Sequence, residues 1–269
     1  MLISHFIDNG DLQSAYLEIG SGFPFLLVHG FTGSKLDFQD QLEWFEDARR
    51  VIALDQRGHG ESSNHPPYQL DQMVIDLVGF LNALDIETCD LLGHSMGGMV
   101  ALRAVLQHPD RFRSLILMDT TPLPVKLMDE GTWQTLKDLI QKEGCQAMLE
   151  SMRGQSIAPA VQRSIDYLGE SEHWRRIRVK LTQMDPAAFI DLGGAMEHQD
   201  SLVELLPEIA CPATVIVGKQ DQPFVKPSKL MANKIPNANL QIIPKAAHSP
   251  QYENPEVWKH AVRQHLAGL

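Results

Sequence analysis

The sequence predicts an α/β fold, in which a mostly parallel sheet is flanked by helices and interrupted by an inserted helical lid. Short apolar runs recur along the 269 residues, and several lack the apolar–polar alternation of strands that face water on one side. Segments with helical periodicity lie between these runs. Strand–helix alternation with short connections favours right-handed parallel pairing. The alternation lapses between about residues 121 and 200, where the patterns are helical.

The apolar runs predict six central strands. They cover residues 24–30, 49–55, 89–95, 114–119, 213–218 and 240–244. The segment at 17–20, Leu-Glu-Ile-Gly, and the residues before it predict antiparallel edge strands at the start of the chain. Continuous apolar runs are typical of strands that helices cover on both faces.

Three helices of the predicted core have their own signals. The first follows from apolar residues at helical spacing, namely Leu70, Val74, Leu77, Leu81 and Leu84. A second helix is predicted to begin near Met96 and to end near Pro109, because proline cannot continue a helix. The last is predicted from about Glu253 to Leu266, with Pro255 as a start signal.

The break in the alternation defines the predicted domain organisation. Residues 1–120 and 201–269 are expected to form the core, and residues 121–200 a helical lid. This insertion follows the carboxyl end of the predicted strand 114–119, and open α/β sheets bind their ligands at that edge. We therefore expect the insertion to cover a ligand site.

The composition excludes several classes of protein. A net charge of −11 argues against nucleic acid or an anionic membrane as a partner. The three cysteines are far apart and form no Cys-x-x-Cys pair, so neither a disulfide framework nor a zinc site is expected. No signal peptide is visible at the amino terminus, and no run approaches 18 apolar residues. The default expectation is a soluble cytoplasmic protein without a membrane span.

The segment Gly93-His94-Ser95-Met96-Gly97 carries the strongest chemical signal. It joins a predicted buried strand to a predicted helix, where G-x-S-x-G forms a tight turn that lifts the serine hydroxyl above the sheet. Glycines suit such a turn because neighbouring Cβ atoms would clash in it. A chance match or a glycine-rich packing turn is the alternative, and the position between strand and helix disfavours it. We predict that Ser95 is a nucleophile.

A serine nucleophile needs a base and a carboxylate that orients the base. His248 follows the last predicted strand, and Asp221 follows the strand at 213–218. Both would lie at the same sheet edge as Ser95, in the chain order serine, acid, histidine. Asp119, at the end of the strand 114–119, is a second candidate for the acid. We favour Asp221, and the alternative for Asp119 is that it caps the Thr-Thr-Pro turn that follows it.

An oxyanion hole needs two N–H donors. Met96 follows the predicted nucleophile and supplies one, and Phe31, after the strand at 24–30, offers the other. The alternative for the segment around Phe31 is a plain glycine turn.

Together these motifs resemble the α/β-hydrolase fold superfamily, and within it the lidded serine hydrolases. The matching segments occur in the family's order: His-Gly-Phe at 29–31, Asp-Gln-Arg-Gly-His-Gly-Glu-Ser at 55–62, Gly-His-Ser-Met-Gly-Gly at 93–98, Gly-Lys-Gln-Asp at 218–221 and Ala-His-Ser at 247–249. The resemblance covers nearly the whole chain outside the insertion. It implies that Arg57, His59 and His94 are packing residues. Serine at position 95 disfavours the epoxide-hydrolase and haloalkane-dehalogenase branches, which use a carboxylate nucleophile.

The resemblance implies acyl transfer on a small-molecule acyl or carbonyl substrate. Ser95 would attack a carbonyl carbon, His248 would take its proton, and Asp221 would hold the imidazole. The N–H groups of Phe31 and Met96 would bind the oxyanion. The chemistry needs neither a metal nor a cofactor.

Substrate choice stays open at this stage. The first interpretation is a carboxylic ester or lactone hydrolase, and the second is a carbon–carbon bond hydrolase that resembles the meta-cleavage product hydrolases. A cofactor-free perhydrolase or a binding protein on the same scaffold is the third. Trp133 and Trp174 are candidates for pocket residues, although packing within the lid is favoured for each. Arg153, Arg175 and Arg176 could hold a carboxylate, although a solvated surface position is favoured for each. The Gly193–Gly194 pair is a candidate for a hinge or for the return of the lid.

Overall fold

One eight-stranded sheet organises the chain. A computed structural model describes residues 2–153 and 157–269; Met1 and residues 154–156, the latter within the predicted lid, lie outside the described residues. The strands are β1 His5–Asn9, β2 Leu12–Gly20, β3 Phe23–Val28, β4 Arg49–Leu54, β5 Cys89–His94, β6 Phe112–Met118, β7 Ala213–Gly218 and β8 Ala238–Ile243. Their order in the sheet is β1-β2-β4-β3-β5-β6-β7-β8.

The pairing confirms the predicted fold class. β1 and β2 pair antiparallel with their neighbours, whereas every pairing from β4 through β8 is parallel. The prediction for 24–30 is two residues too long, because His29 and Gly30 leave the sheet and begin the loop that approaches Ser95.

Apolar burial on both faces explains the continuous runs. All six residues of β5 and all six of β7 are buried. Leu91 faces one core cluster and Leu92 the other, as expected from side chains that alternate across a strand. Because these strands are parallel, their carboxyl ends lie at one edge of the sheet, where open α/β sheets bind their ligands.

Ten helices occur within the described ranges. They are α1 Leu70–Ala83, α2 Met96–Gln107, α3 Glu130–Glu143, α4 Met148–Arg153, α5 Pro159–Leu168, α6 Glu170–Gln183, α7 Pro186–Glu197, α8 Gln222–Lys234, α9 Pro250–Glu253 and α10 Pro255–Ala267. None of these helices is both long enough and apolar enough to cross a bilayer.

The carboxyl-terminal helix α10, Pro255–Ala267, agrees to within two residues with its prediction from about Glu253 to Leu266. A short helix that was not predicted, α9, precedes it, and the two are separated at Asn254, whose φ and ψ of −150° and 68° are not helical. The cause is Pro255, because a residue before proline is displaced from the α region. Helix α9 is therefore separate from α10, and it begins two residues after His248.

Helices α3 to α7 lie between β6 and β7, and we call them the insertion helices. They share a small apolar cluster that includes Trp133, Leu181 and Phe189. The Gly193–Gly194 pair lies inside α7, on the return of the chain towards β7, and not at a hinge. Gly193 faces the Trp133 indole, and a Cβ there would lie 2.4 Å from that ring.

Candidate active site

Ser95 lies in a sharp turn between β5 and α2. Its φ of 54° and ψ of −117° belong to a region that non-glycine residues rarely adopt. The Ser95 N–H donates to the Met118 carbonyl at 2.9 Å, which ties the turn to β6. Such a strained position persists where the surrounding structure enforces it, and it is a feature of functional sites.

The glycines that flank Ser95 are required by close backbone approaches. A Cβ on Gly93 would lie 2.4 Å from the Gly97 carbonyl oxygen, and one on Gly97 would lie 2.4 Å from the His29 carbonyl oxygen. Neither neighbour is a flexible side-chain end, so a larger residue would displace backbone. The turn therefore requires glycine at both positions, as expected from the sequence.

The three predicted polar residues form one hydrogen-bonded chain. His248 Nε2 lies 2.9 Å from Ser95 Oγ, and His248 Nδ1 lies 2.7 Å from Asp221 Oδ2. A carboxylate only accepts, so Nδ1–H donates to Asp221 and Nε2 is left to accept the serine proton. Ser95 and Asp221 are buried, whereas the His248 side chain is 41% exposed towards the cavity.

Backbone hydrogen bonds place Asp221 beside the histidine loop. Gln220 N–H donates to the Ala246 carbonyl at 2.7 Å, and Lys219 N–H donates to the Ile243 carbonyl at 2.9 Å. The loop after β7 is therefore attached to the loop after β8. This attachment fixes the separation between the carboxylate and the imidazole.

The Glu253 side chain holds the backbone on both sides of His248. One carboxylate oxygen accepts from Ala247 N–H at 2.7 Å and the other from Ser249 N–H at 2.9 Å. Arg163 of α5 donates to the same carboxylate at 3.1 Å. The sequence motifs do not identify Glu253; the signal for it is an acidic residue at the end of a proline-initiated turn that follows the candidate base.

Replacing Glu253 by glutamine should reduce kcat by about 10-fold or more, because small misplacements of a reacting group are costly. A glutamine side chain has a single acceptor oxygen, so one of the two N–H groups beside His248 would lose its partner. Steady-state kinetics and thermal unfolding would be measured together, with Glu256→Gln, at an exposed position of α10, as control. Unchanged kcat with reduced stability would show that Glu253 has only a structural role.

Asp119 is a further buried carboxyl beside this chain. The structure contradicts the expectation that it caps the Thr-Thr-Pro turn: Asp119 Oδ1 accepts from Gly218 N–H at 2.9 Å, and the hydroxyl of Thr121 serves the turn instead. One ligand atom each of Asp119, Asp221 and His248 lies within 4.8 Å of the others. His248 Nδ1 and Asp221 Oδ2 are already hydrogen-bonded to each other, so we assign no metal site to this group.

The loop after β3 lies beside Ser95. A Cβ on Gly30 would lie 2.9 Å from Ser95 Cβ, so the loop packs directly on the serine. His29 fixes this loop, because its Nδ1–H donates to the Gly30 carbonyl at 2.8 Å and its Nε2 accepts from Gln56 N–H at 3.0 Å. Burial lowers the pKa of His29 to about 4, which keeps it neutral in this role. Phe31 is next in the loop and lines the cavity.

A cavity of about 350 Å³ opens above Ser95 and His248. The core contributes Phe31, Thr32, Asp37 and Tyr252 to its walls, among others. The insertion helices contribute a second set of residues: Met148, Met152, Ser164, Leu168, His173, Arg176, Ile177, Lys180 and Leu181. Small-molecule sites are concave, largely apolar and of this size.

The three arginines of the insertion considered above occupy different environments. Arg176 was expected at the solvated surface, but it is only 6% exposed and its guanidinium donates to Asp40 at 2.7 and 2.8 Å. Its side chain lines the cavity because α6 turns that face towards the core loop. Arg175, by contrast, forms an exposed pair with Glu172. Arg153 lies over the Trp174 ring, 5.3 Å from its centroid.

The histidines and arginine expected to be packing residues are buried. Arg57 makes two bonds to Asp76, at 2.7 and 2.6 Å, and is fully buried. Burial lowers the pKa of His59 to about 3, and burial with the nearby His248 lowers that of His94 to about 3. His94 Nε2 donates to the His248 carbonyl at 2.7 Å, so His94 supports the backbone of the candidate base.

Comparison with known proteins gives consistent matches. Residues 24–143 match the family model described as alpha/beta hydrolase fold. The chain is 27% identical to 3-oxoadipate enol-lactonase 2 of Acinetobacter baylyi, over 97% of each chain. It is 28% identical to 2-hydroxymuconate semialdehyde hydrolase of Pseudomonas sp., over 93% of this chain and 89% of that one. A solved thermophilic esterase from Thermogutta terrifontis matches with a TM-score of 0.85 and 29% identity, over 99% of this chain and 98% of the other.

Proposed function

We propose that this chain, which matches the alpha/beta hydrolase fold model and is similar to named hydrolases and esterases, cleaves a carboxylic ester or a lactone through an acyl-enzyme on Ser95. The observation that carries this proposal is the chain of hydrogen bonds from Ser95 Oγ through His248 to Asp221 Oδ2, at 2.9 and 2.7 Å. It ends at a cavity large enough for a small molecule.

The reaction has two halves. Ser95 Oγ attacks the carbonyl carbon while its proton moves to His248 Nε2, and Asp221 stabilises the resulting imidazolium. The single bond between the carbonyl carbon and the leaving-group oxygen then breaks, and His248 gives the proton to that leaving-group oxygen. Water enters, His248 takes a proton from it, and the hydroxide attacks the acyl carbon. The acid leaves and the proton returns to Ser95.

The N–H groups of Phe31 and Met96 are the proposed oxyanion donors. Met96 is the first residue of α2, so its N–H has no carbonyl partner earlier in that helix. The Gly30–Ser95 contact places the loop that carries Phe31 beside the serine. Each donor in comparable sites contributes about 3–4 kcal/mol to transition-state stabilisation.

We further propose that residues 121–200 form the specificity lid over a core made of residues 1–120 and 201–269. Lys180 of α6 pairs with Asp37 and Arg176 of α6 pairs with Asp40, so two ion pairs attach the insertion to the loop after β3. Apolar side chains of the insertion, such as Ile177 and Leu181, would then contact the acyl group. Trp133 packs on Phe189 and Gly193 and would stabilise the lid from within.

A carbon–carbon bond hydrolase is the second candidate. The similarity to 2-hydroxymuconate semialdehyde hydrolase favours it, and the same three side chains would serve either reaction. The difference lies in the substrate, since a vinylogous diketone would present a carbon leaving group instead of oxygen.

A substrate panel tests the proposal. Purified protein would be assayed with p-nitrophenyl esters of increasing chain length, with lactones and with vinylogous diketones, each beside Ser95→Ala. We expect ester or lactone hydrolysis that the variant lacks. Turnover confined to diketones would favour the second candidate, and ester hydrolysis that persists in Ser95→Ala would contradict both.

A further inference from the structure

Asp119 and Asp221 lie side by side at the carboxyl edge of the sheet, although the proposed reaction uses only Asp221. β6 and β7 pair in a register that places Met118 opposite Ile216, so the residues just beyond the two strands emerge together. Asp119 is fully buried and Asp221 is 6% exposed. The Asp119 backbone has a φ of 45°, in the left-handed region that aspartate tolerates better than most non-glycine residues, and its N–H donates to the Ile216 carbonyl at 2.9 Å.

The surroundings of Asp119 supply little that would stabilise a negative charge. Oδ1 accepts the Gly218 N–H, whereas Oδ2 has no donor among the residues that the structure describes. The titratable groups that face it are Asp221, His248 and, further away, Glu253. Asp221 has His248 as its partner, and Glu253 has Arg163.

Two adjoining buried carboxylates do not both ionise, because each disfavours the charge of the other. Burial and the neighbouring Asp221 carboxylate raise the pKa of Asp119 well above its usual value. The proton therefore stays on Asp119, the carboxyl without a cationic partner. A protonated carboxyl has one O–H donor, and the carboxylate of Asp221 is the acceptor beside it.

We propose that Asp119 is a positioning residue: a neutral carboxylic acid whose O–H donates to the Asp221 carboxylate and holds it towards His248 Nδ1. The proposal rests on the proposed function, because it extends the hydrogen-bonded chain to four groups, Asp119, Asp221, His248 and Ser95. The donated bond withdraws part of the Asp221 charge from the imidazole. It also satisfies a buried oxygen that would otherwise have no partner.

Two variants, Asp119→Asn and Asp119→Ala, distinguish whether Asp119 acts as a neutral hydrogen-bond donor or as a negative charge. Asparagine is isosteric: its oxygen can accept the Gly218 N–H and its amide can donate to Asp221. We expect Asp119→Asn to keep kcat within a few-fold and to leave the midpoint of the acid limb of the kcat/KM profile unmoved. Asp119→Ala removes the donor, so kcat should fall about 10- to 100-fold. Its acid limb should move to higher pH, since the full Asp221 charge then stabilises the imidazolium.

A direct measurement completes the test without relying on turnover. Infrared difference spectra of protein with isotope-labelled aspartate should show a protonated carboxylic acid at neutral pH that is absent in Asp119→Asn. Absence of that band in the unsubstituted protein would overturn the proposal. So would an Asp119→Asn acid limb displaced to lower pH, which would mean that an ionised carboxylate had been removed.

The remaining outcomes are also decisive. A loss of folded protein in Asp119→Ala with an unmoved acid limb would overturn the proposal in favour of a merely structural role. If the protein neither hydrolyses esters nor reacts with a fluorophosphonate at Ser95, the proposed function fails, whereas the infrared band still reports the state of Asp119.

Discussion

Ser95→Ala should lower kcat by about 10⁶-fold, the loss found when the nucleophile of a comparable triad is removed. The expected loss is this large because the hydroxyl is the atom that becomes acylated, and no other hydroxyl in the described part of the cavity shares the bond to His248 Nε2. The assay is ester or lactone turnover at saturating substrate, with circular dichroism and thermal unfolding to verify the fold.

Ser228→Ala is a matched control for this change. Ser228 is also a fully buried serine, but it lies in α8 and is not among the cavity residues. We expect it to retain kcat. A Ser95→Ala protein that is folded and keeps more than a small fraction of kcat would remove the assignment of the nucleophile.

Asp221→Asn should lower kcat by up to about 10⁴-fold while leaving the fold intact, because the amide presents a donor and favours the wrong imidazole tautomer. In the structure Asp221 Oδ2 accepts from His248 Nδ1 at 2.7 Å, so the tautomer depends on this one acceptor. The measurement is kcat at matched folding.

Asp119→Asn is the control here, since it makes the same chemical change in the adjoining carboxyl. It should cost far less than Asp221→Asn. If Asp119→Asn is the crippling substitution and Asp221→Asn is mild, the acid is wrongly assigned, although a serine hydrolase would remain possible.

The sequence predicts that the three candidate catalytic residues lie close together, and the reason is physical. Parallel strands present their carboxyl ends at one edge, so residues just past β5, β7 and β8 meet there. The continuous apolar runs located these strands, because burial on both faces leaves no alternation. Ser95, Asp221 and His248 could therefore be selected from strand positions and residue types alone.

Other features depended on register and packing that periodicity does not encode. The contact between Asp119 and Asp221 follows from the β6–β7 register. The burial of Arg176 depends on which face of α6 meets Asp40, and the role of Glu253 depends on the turn of α9 back onto the histidine loop. Each is a long-range contact between segments whose local sequence is ordinary for a surface helix or a loop.

The most direct test of the central claim, covalent catalysis by Ser95, is peptide mapping by mass spectrometry after reaction with a fluorophosphonate. We predict one adduct per chain, located on the peptide that contains Ser95 and lost in Ser95→Ala, with turnover falling in proportion to labelling. An adduct on another residue, or full labelling of the Ser95→Ala protein, would contradict the account.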